Sequence, residues 1–125
     1  MRVMKVVEIL SGLDGGGVEN MLLNYCRYIN LNKIHVDFIV HNQTKGAIED
    51  KFLELGCNVF HVTPKSKSVI KNTKEIYKII RRERYDVVHS HMNYKGLTHM
   101  IIAKMCGVKQ RVIHQHIAYY PINGV

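Results

Sequence analysis

Three groups of residues have types and spacings that do chemistry. The first is Leu10-Ser11-Gly12-Leu13-Asp14-Gly15-Gly16-Gly17-Val18-Glu19-Asn20, which sets three consecutive glycines between an apolar run and an amphipathic one. Residues without a side chain let the backbone turn sharply, expose its N–H groups and approach a ligand closely, and a helix starting there adds partial positive charge. Such a turn takes an anion, most often a phosphate; glycines that only close a tight strand-to-helix turn would look the same. The second group is two H-x-H pairs, His89 with His91 and His114 with His116. Residues i and i+2 point the same way from a strand, so each pair can offer two imidazoles to one metal. No Asp, Glu or Cys lies close in sequence to complete a ligand set, and two strands would have to converge, so no metal is expected. The preferred reading is that one histidine of each pair packs inside or caps a strand while the other looks into a crevice. There an imidazole can hydrogen-bond a hydroxyl or a phosphate at neutral pH. The third group is His41-Asn42, at the end of another apolar run.

The elements that must position these groups follow from hydrophobic periodicity. Val3 to Leu10 reads as a buried strand, and Val18, Met21, Leu22, Tyr25 and Ile29 recur at helical spacing after the glycines. Val36 to Val40 is a second strand, and Ala47 to Leu55 a second helix with Gly56 as its C-terminal cap. Val59 to Val62 forms a third strand, and Ser68 to Arg84 a long helix with Val69, Thr73, Ile76, Tyr77 and Ile80 on its apolar side. Val87 to His91 is strand four. Gly96 to Met105 is a helix whose Leu97, Met100, Ile101 and Met105 are expected to face the core, and Arg111 to His116 is strand five.

Strict alternation of strands and helices, with strands apolar on both faces, implies a parallel sheet covered on both sides. Right-handed crossovers make it a doubly wound, Rossmann-like α/β fold in strand order 3-2-1-4-5. Ligands bind such sheets at the carboxyl ends of the strands, at the switch point between strands one and four. The glycine turn and His89 to Asn93 are expected to face each other there.

With 125 residues and 46% hydrophobic composition, the chain is expected to form one domain, residues 1–125. Cys26, Cys57 and Cys106 are far apart, odd in number and set among apolar residues, which fits small core residues in a reducing compartment. The apolar run at the N-terminus ends by Leu10, too short for a secretory signal or a membrane span, so a cytoplasmic protein is expected. A net charge of +8 favours anionic partners. Part of it is a stripe on the long helix, Lys71, Lys74, Lys78, Arg81 and Arg82, which suits an anionic bilayer or an ordinary solvated surface. Nucleic acid ranks last, because no aromatic platform is interleaved with the basic residues.

Two phosphate chemistries are excluded. A dinucleotide fingerprint needs a third glycine where Asn20 stands and an acid at the end of strand two, where His41-Asn42 stand; Asp37 lies upstream of that end. A P-loop needs a lysine where Val18 stands.

Gly16-Gly17-Val18-Glu19-Asn20 opening a helix, Asp86-Val87-Val88-His89-Ser90-His91 ending a strand, and Ala103-Lys104-Met105-Cys106-Gly107-Val108 ahead of Arg111-Val112-Ile113-His114-Gln115-His116 together resemble the N-terminal domain of family-4 glycosyltransferases of the GT-B fold. The resemblance is closest to bacterial enzymes of exopolysaccharide and capsule assembly and covers essentially the whole chain. It implies transfer of a sugar from a nucleotide-diphosphate sugar to a hydroxyl with retention of configuration, with no cofactor and no obligatory metal. It also implies that Gly15, Gly16 and Gly17 lie over the donor diphosphate and that His91 lines the acceptor and sugar side. His41, Asn42 and His116 are weaker acceptor-side candidates. The implied partners are the nucleotide sugar and a lipid-linked saccharide acceptor, with the basic helix holding the domain peripherally at the inner face of the cell membrane. The family's C-terminal donor-binding domain is absent from this sequence, so the chain reads as a truncated domain, inactive alone. The rival reading is a stand-alone flavodoxin-like module binding a phosphate-bearing small ligand.

Overall fold

The computed structural model describes residues 3–30, 32–92 and 96–114. Nine elements alternate: β1 (Met4–Leu10), α1 (Gly17–Tyr28), β2 (Ile34–Val40), α2 (Glu49–Glu54), β3 (Asn58–His61), α3 (Val69–Glu83), β4 (Val87–Ser90), α4 (Gly96–Met105) and β5 (Gln110–Ile113). The strands form one five-stranded sheet in the order β3-β2-β1-β4-β5, with every pairing parallel. This is the doubly wound α/β architecture and the strand order that the alternation implies. Strand five is shorter than its apolar run: β5 ends at Ile113, and His114 follows it with its N–H still donating to the Ser90 carbonyl.

Alternating strand residues feed two apolar layers. Val7, Ile9, Ile39 and Val88 pack under α3 and α4, while Leu10, Val36, Phe38 and Val40 pack under α1 and α2. Cys26 and Cys57 are buried in the second layer. The ends of α3 follow from local chemistry. Ser68 caps its N-terminus, Oγ accepting from the Lys71 N–H at 3.1 Å, and Arg84 stops it in the left-handed conformation at φ 53°.

Two helix faces differ from the periodicity reading. In α4 the buried residues are Gly96, His99, Ile102 and Ala103, and Leu97, Ile101 and Met105 are more than half exposed. The helix is apolar almost all round, so hydropathy does not choose its face; close approach does. A Cβ on Gly96 would sit 2.8 Å from Ser90 Oγ, so glycine lets the helix lie directly on β4. In α3 the buried face is Asn72, Ile76, Ile79 and Ile80, with Val69 exposed, because Asn72 turns inward to satisfy polar groups at the strand ends.

One acid is wholly buried on the α3/α4 side. Asp37 in β2 accepts from the Tyr85 hydroxyl at 2.7 Å and from the Asn58 amide at 3.1 Å, and lies 2.7 Å from His35 Nε2. Burial, then Asp37, pushes the Tyr85 phenol far above its ordinary value, so it stays a donor.

Candidate functional site

The glycine turn sits at the carboxyl end of β1, with β2 on one side and β4 on the other. Its shape depends on Gly15, held at φ 95°. Asn20 ties the turn together, its amide donating to the carbonyls of Gly15 at 2.6 Å and Gly16 at 3.0 Å. The Gly16 N–H donates to Glu19 Oε2 at 2.8 Å, so a carboxylate of the chain itself occupies one donor at the start of α1. At Gly17, by contrast, an added Cβ would meet nothing within 4 Å. Among the described residues, therefore, nothing crowds a ligand approaching the helix start at Gly17.

The strand-end loop beside the turn is pinned from β3. His61 lies 2.6 Å from the Asn42 carbonyl through Nδ1 and 3.0 Å from Glu49 through Nε2, and Glu49 accepts from the Gly46 N–H. Burial alone would lower the His61 pKa, but the Glu49 and Asn42 acceptors raise it above the ordinary value. Asn42 Oδ1 accepts from both the N–H and the hydroxyl of Thr44. Asn42 is thus part of the turn's scaffold.

His41 points to the α3/α4 side, into a buried polar chain. Asn72 Nδ2 lies 3.1 Å from His41 Nδ1, His41 Nε2 lies 3.1 Å from His99 Nε2, and His99 Nδ1 lies 2.8 Å from Ser90 Oγ. With Asn72 donating to Nδ1, His41 donates through Nε2, so His99 accepts there and donates to Ser90. This requires a neutral His99. Burial first, then the neighbouring His41, whose own protonation it opposes, and Lys65 push its pKa down to about 3. The folded state thus stays neutral where the unfolded chain takes up a proton. Stability from His99 is full above its unfolded pKa and is lost as pH falls from about 6.5 towards 3, at about 1.4 kcal/mol per pH unit. Denaturant melts should therefore lose about 2 kcal/mol between pH 6.5 and pH 5, and His99→Gln should flatten that limb.

On the opposite side of the sheet, the H-x-H pair of β4 meets a residue that motif reading passes over. Glu8, mid-strand in β1, is register partner of His89 and is 6% exposed. Its Oε1 lies 2.6 Å from His91 Nε2 and 3.1 Å from His89 Nδ1. Burial would raise the Glu8 pKa, but hydrogen bonds from both histidines outweigh it and hold the carboxyl below its ordinary value. Both imidazoles thus face the same way and share one acceptor, rather than dividing between interior and crevice. His91's side chain is 1% exposed and His89's 23%. With His114 they line a cavity of about 310 Å³ between α1 and the sheet, closed by Met21, Leu22 and Tyr25. The sequence signal for Glu8 was a lone acid within the apolar run Val6-Val7-Glu8-Ile9-Leu10; its partner needed the register. Asn93 and His116 lie outside the described residues.

The stripe Lys71, Lys74, Lys78, Arg81 and Arg82 is exposed along α3. Arg82 is drawn aside by Glu83, at 3.0 Å, and by the Phe60 ring. Lys74 and Lys78 flank a groove shared with Ile102 and Met105 of α4. No helix among the described residues is long and apolar enough to cross a membrane.

Among known proteins, the chain is 28% identical over 116 residues to a Bacillus subtilis (strain 168) protein described as glycosyltransferase EpsF. It is 22% identical over 113 residues to the capsular polysaccharide biosynthesis glycosyltransferase CapH of Staphylococcus aureus. Each match takes in 90% of this chain and 30% of the relative, so the chain spans about a third of their length. The fold is shared with a glycosyltransferase from Rickettsia africae ESF-5 (TM-score 0.74, 17% identity, 99% of this chain and 32% of that one). It is also shared with Acinetobacter baumannii MurG (TM-score 0.66, 12% identity, 97% and 38%). These are glycosyltransferases of the GT-B architecture, and the chain matches a minor part of each. The glycosyltransferase family 4 model matches residues 15–123, from the glycine turn through both H-x-H pairs, and the chain belongs to that family.

Proposed function

We propose that this chain is the acceptor-side domain of a retaining glycosyltransferase, which moves a sugar from a nucleotide-diphosphate sugar to a hydroxyl of a lipid-linked saccharide in surface polysaccharide synthesis. The observation that carries the reading is the turn at Gly15, Gly16 and Gly17, open at Gly17, at the switch point of a family-4 sheet. Its amides and the start of α1 would stabilise charge on the leaving diphosphate, the main need of such a reaction. His91, Asn42, His41 and His116 are the acceptor-side candidates. His91 is best supported, because it lines a cavity and Glu8 holds its ring.

Gly17 allows a clean test. Gly17→Ala in the full-length enzyme adds a methyl into open space at a helical position, so stability should hold or rise slightly. A diphosphate lying over the turn would meet that methyl. The expected result is a donor KM raised about tenfold or more with Tm unchanged. Unchanged donor kinetics would remove the diphosphate from this turn.

The membrane half of the reading rests on the exposed Lys71, Lys74 and Lys78, the last two flanking a groove that the exposed apolar Met105 also lines. Basic residues near an anionic leaflet contribute about 1 kcal/mol each. Lys71→Glu, Lys74→Glu and Lys78→Glu together should abolish binding to phosphatidylglycerol-containing vesicles at low salt. Equal binding by the triple variant would leave α3 a solvated surface.

A further inference from the structure

We infer that His89, His91 and His114, backed by Glu8, form a binding site for a divalent transition metal ion, Zn2+ in the first place. A ring nitrogen of each histidine lies within 4.8 Å of those of the other two. They come together because β4 and β5 are neighbours: His89 and His91 project from one face of β4, and His114 follows the β5 residue paired with Ser90. Such convergence of His114 with the pair that ends β4 needs the strand register, and the carboxylate comes from a strand some eighty residues away.

Three observations point to an ion rather than to packing alone. His89 Nε2 is buried without a hydrogen-bond partner among the described residues, while Nδ1 of the same ring faces Glu8 at 3.1 Å. An imidazole that donates through one nitrogen carries its lone pair on the other, so His89 presents an unused, buried ligand atom. The Glu8 carboxylate grips two of the three histidines, the outer-shell arrangement that orients metal-ligating imidazoles and raises their basicity. Finally, the site adjoins a cavity, so an ion has a path and room for a bound water.

The donor set selects the ion class. Three imidazoles suit Zn2+, Co2+ or Ni2+, whereas Mg2+ and Ca2+ demand oxygen ligands. Tetrahedral zinc with Zn–N bonds of about 2.0–2.1 Å brings its nitrogens to roughly 3.4 Å from one another. The rings must therefore close by an ångström or more, and the His89 and His114 rings, now 10° from parallel, must tilt. His114 is exposed at a strand end and can make most of that movement. The ion would tie β1, β4 and β5 together beneath the crevice; because His91 is also the acceptor-side candidate, the site is tested by metal uptake and not by sugar transfer.

The test is metal uptake by the purified, metal-stripped full-length protein. Titration with Co2+ should give a saturable visible d–d spectrum of low coordination number at one equivalent, displaced by Zn2+, and Zn2+ should raise Tm. His114→Ala, an exposed change that leaves the fold intact, should weaken uptake at least tenfold, and Glu8→Gln should weaken it by about ten- to hundredfold. His35→Ala, on β2, should leave uptake unchanged. Absence of a saturable cobalt spectrum, or one that survives His114→Ala, overturns the proposal. So does equal sensitivity to His35→Ala, which would mean scattered surface histidines.

Discussion

Asp37→Ala should cost about 3 kcal/mol or more, a large fraction of the 5–15 kcal/mol that holds a domain of this size together. The carboxylate is wholly buried and is the common acceptor for Tyr85, Asn58 and the neighbouring His35. Removing it leaves the Tyr85 hydroxyl in the interior with its partner gone and the α3–β4 junction untied from β2. An unsatisfied buried donor costs the desolvation of the group, not merely one bond. Thermal unfolding should show Tm lower by roughly 10 °C. Asp37→Asn retains one acceptor oxygen and should lose less. Tyr85→Phe in the Asp37→Ala background should restore part of the loss, because it deletes the stranded hydroxyl; additive losses in that double mutant would contradict this account.

Gly46→Ala should be the second most damaging single change, although it adds only a methyl. A Cβ there would press into the Leu13 carbonyl group, lying 2.6 Å from its carbon and 2.9 Å from the Leu13 Cα. The obstacle is backbone, so no rotamer change relieves it. Either the strand-end loop or the glycine turn must move, and the Ile48 N–H to Leu13 bond of 3.1 Å goes with it. The expected loss is about 2–3 kcal/mol, at the upper end for overpacking. In the full-length enzyme, donor affinity should fall together with stability. That separates Gly46→Ala from Gly17→Ala, where affinity falls alone; a Gly46→Ala variant of wild-type Tm would show that the two loops do not touch as described.

Legibility in the sequence divides along physical lines. The alternation of buried strands and capped helices led directly to the strand order, because parallel pairing with right-handed crossovers leaves few arrangements. The glycine turn was visible because nothing but glycine tolerates Gly15's backbone angle comfortably. Faces of helices were harder. The apolar residues of α4 surround it, so the choice fell to Gly96 and His99, whose small size and hydrogen bond carry no hydropathy signal. Asn72 drew α3 round for the same reason. Glu8 and His61 were passed over because their meaning lies in cross-strand neighbours: one acid under two histidines, one histidine holding the loop that carries Asn42. Periodicity reports burial along one element, and it is silent on who stands opposite.

The pairing of β1 with β4 also bears on how the domain is made. Met4–Leu10 is the middle strand of five, yet one of its two partners, Val87–Ser90, lies about eighty residues further along the chain. At a synthesis rate of roughly 5–20 residues per second, the nascent chain carries β1 for about 4–16 seconds before β4 leaves the ribosome. Through that interval a half-paired strand of Val6, Val7, Ile9 and Leu10 offers an apolar edge with open backbone donors and acceptors. Co-translational folding of this domain is therefore gated by the arrival of β4. Glu8, a charge in the middle of that waiting edge, discourages, together with Lys5, pairing with a stranger until its own histidines emerge.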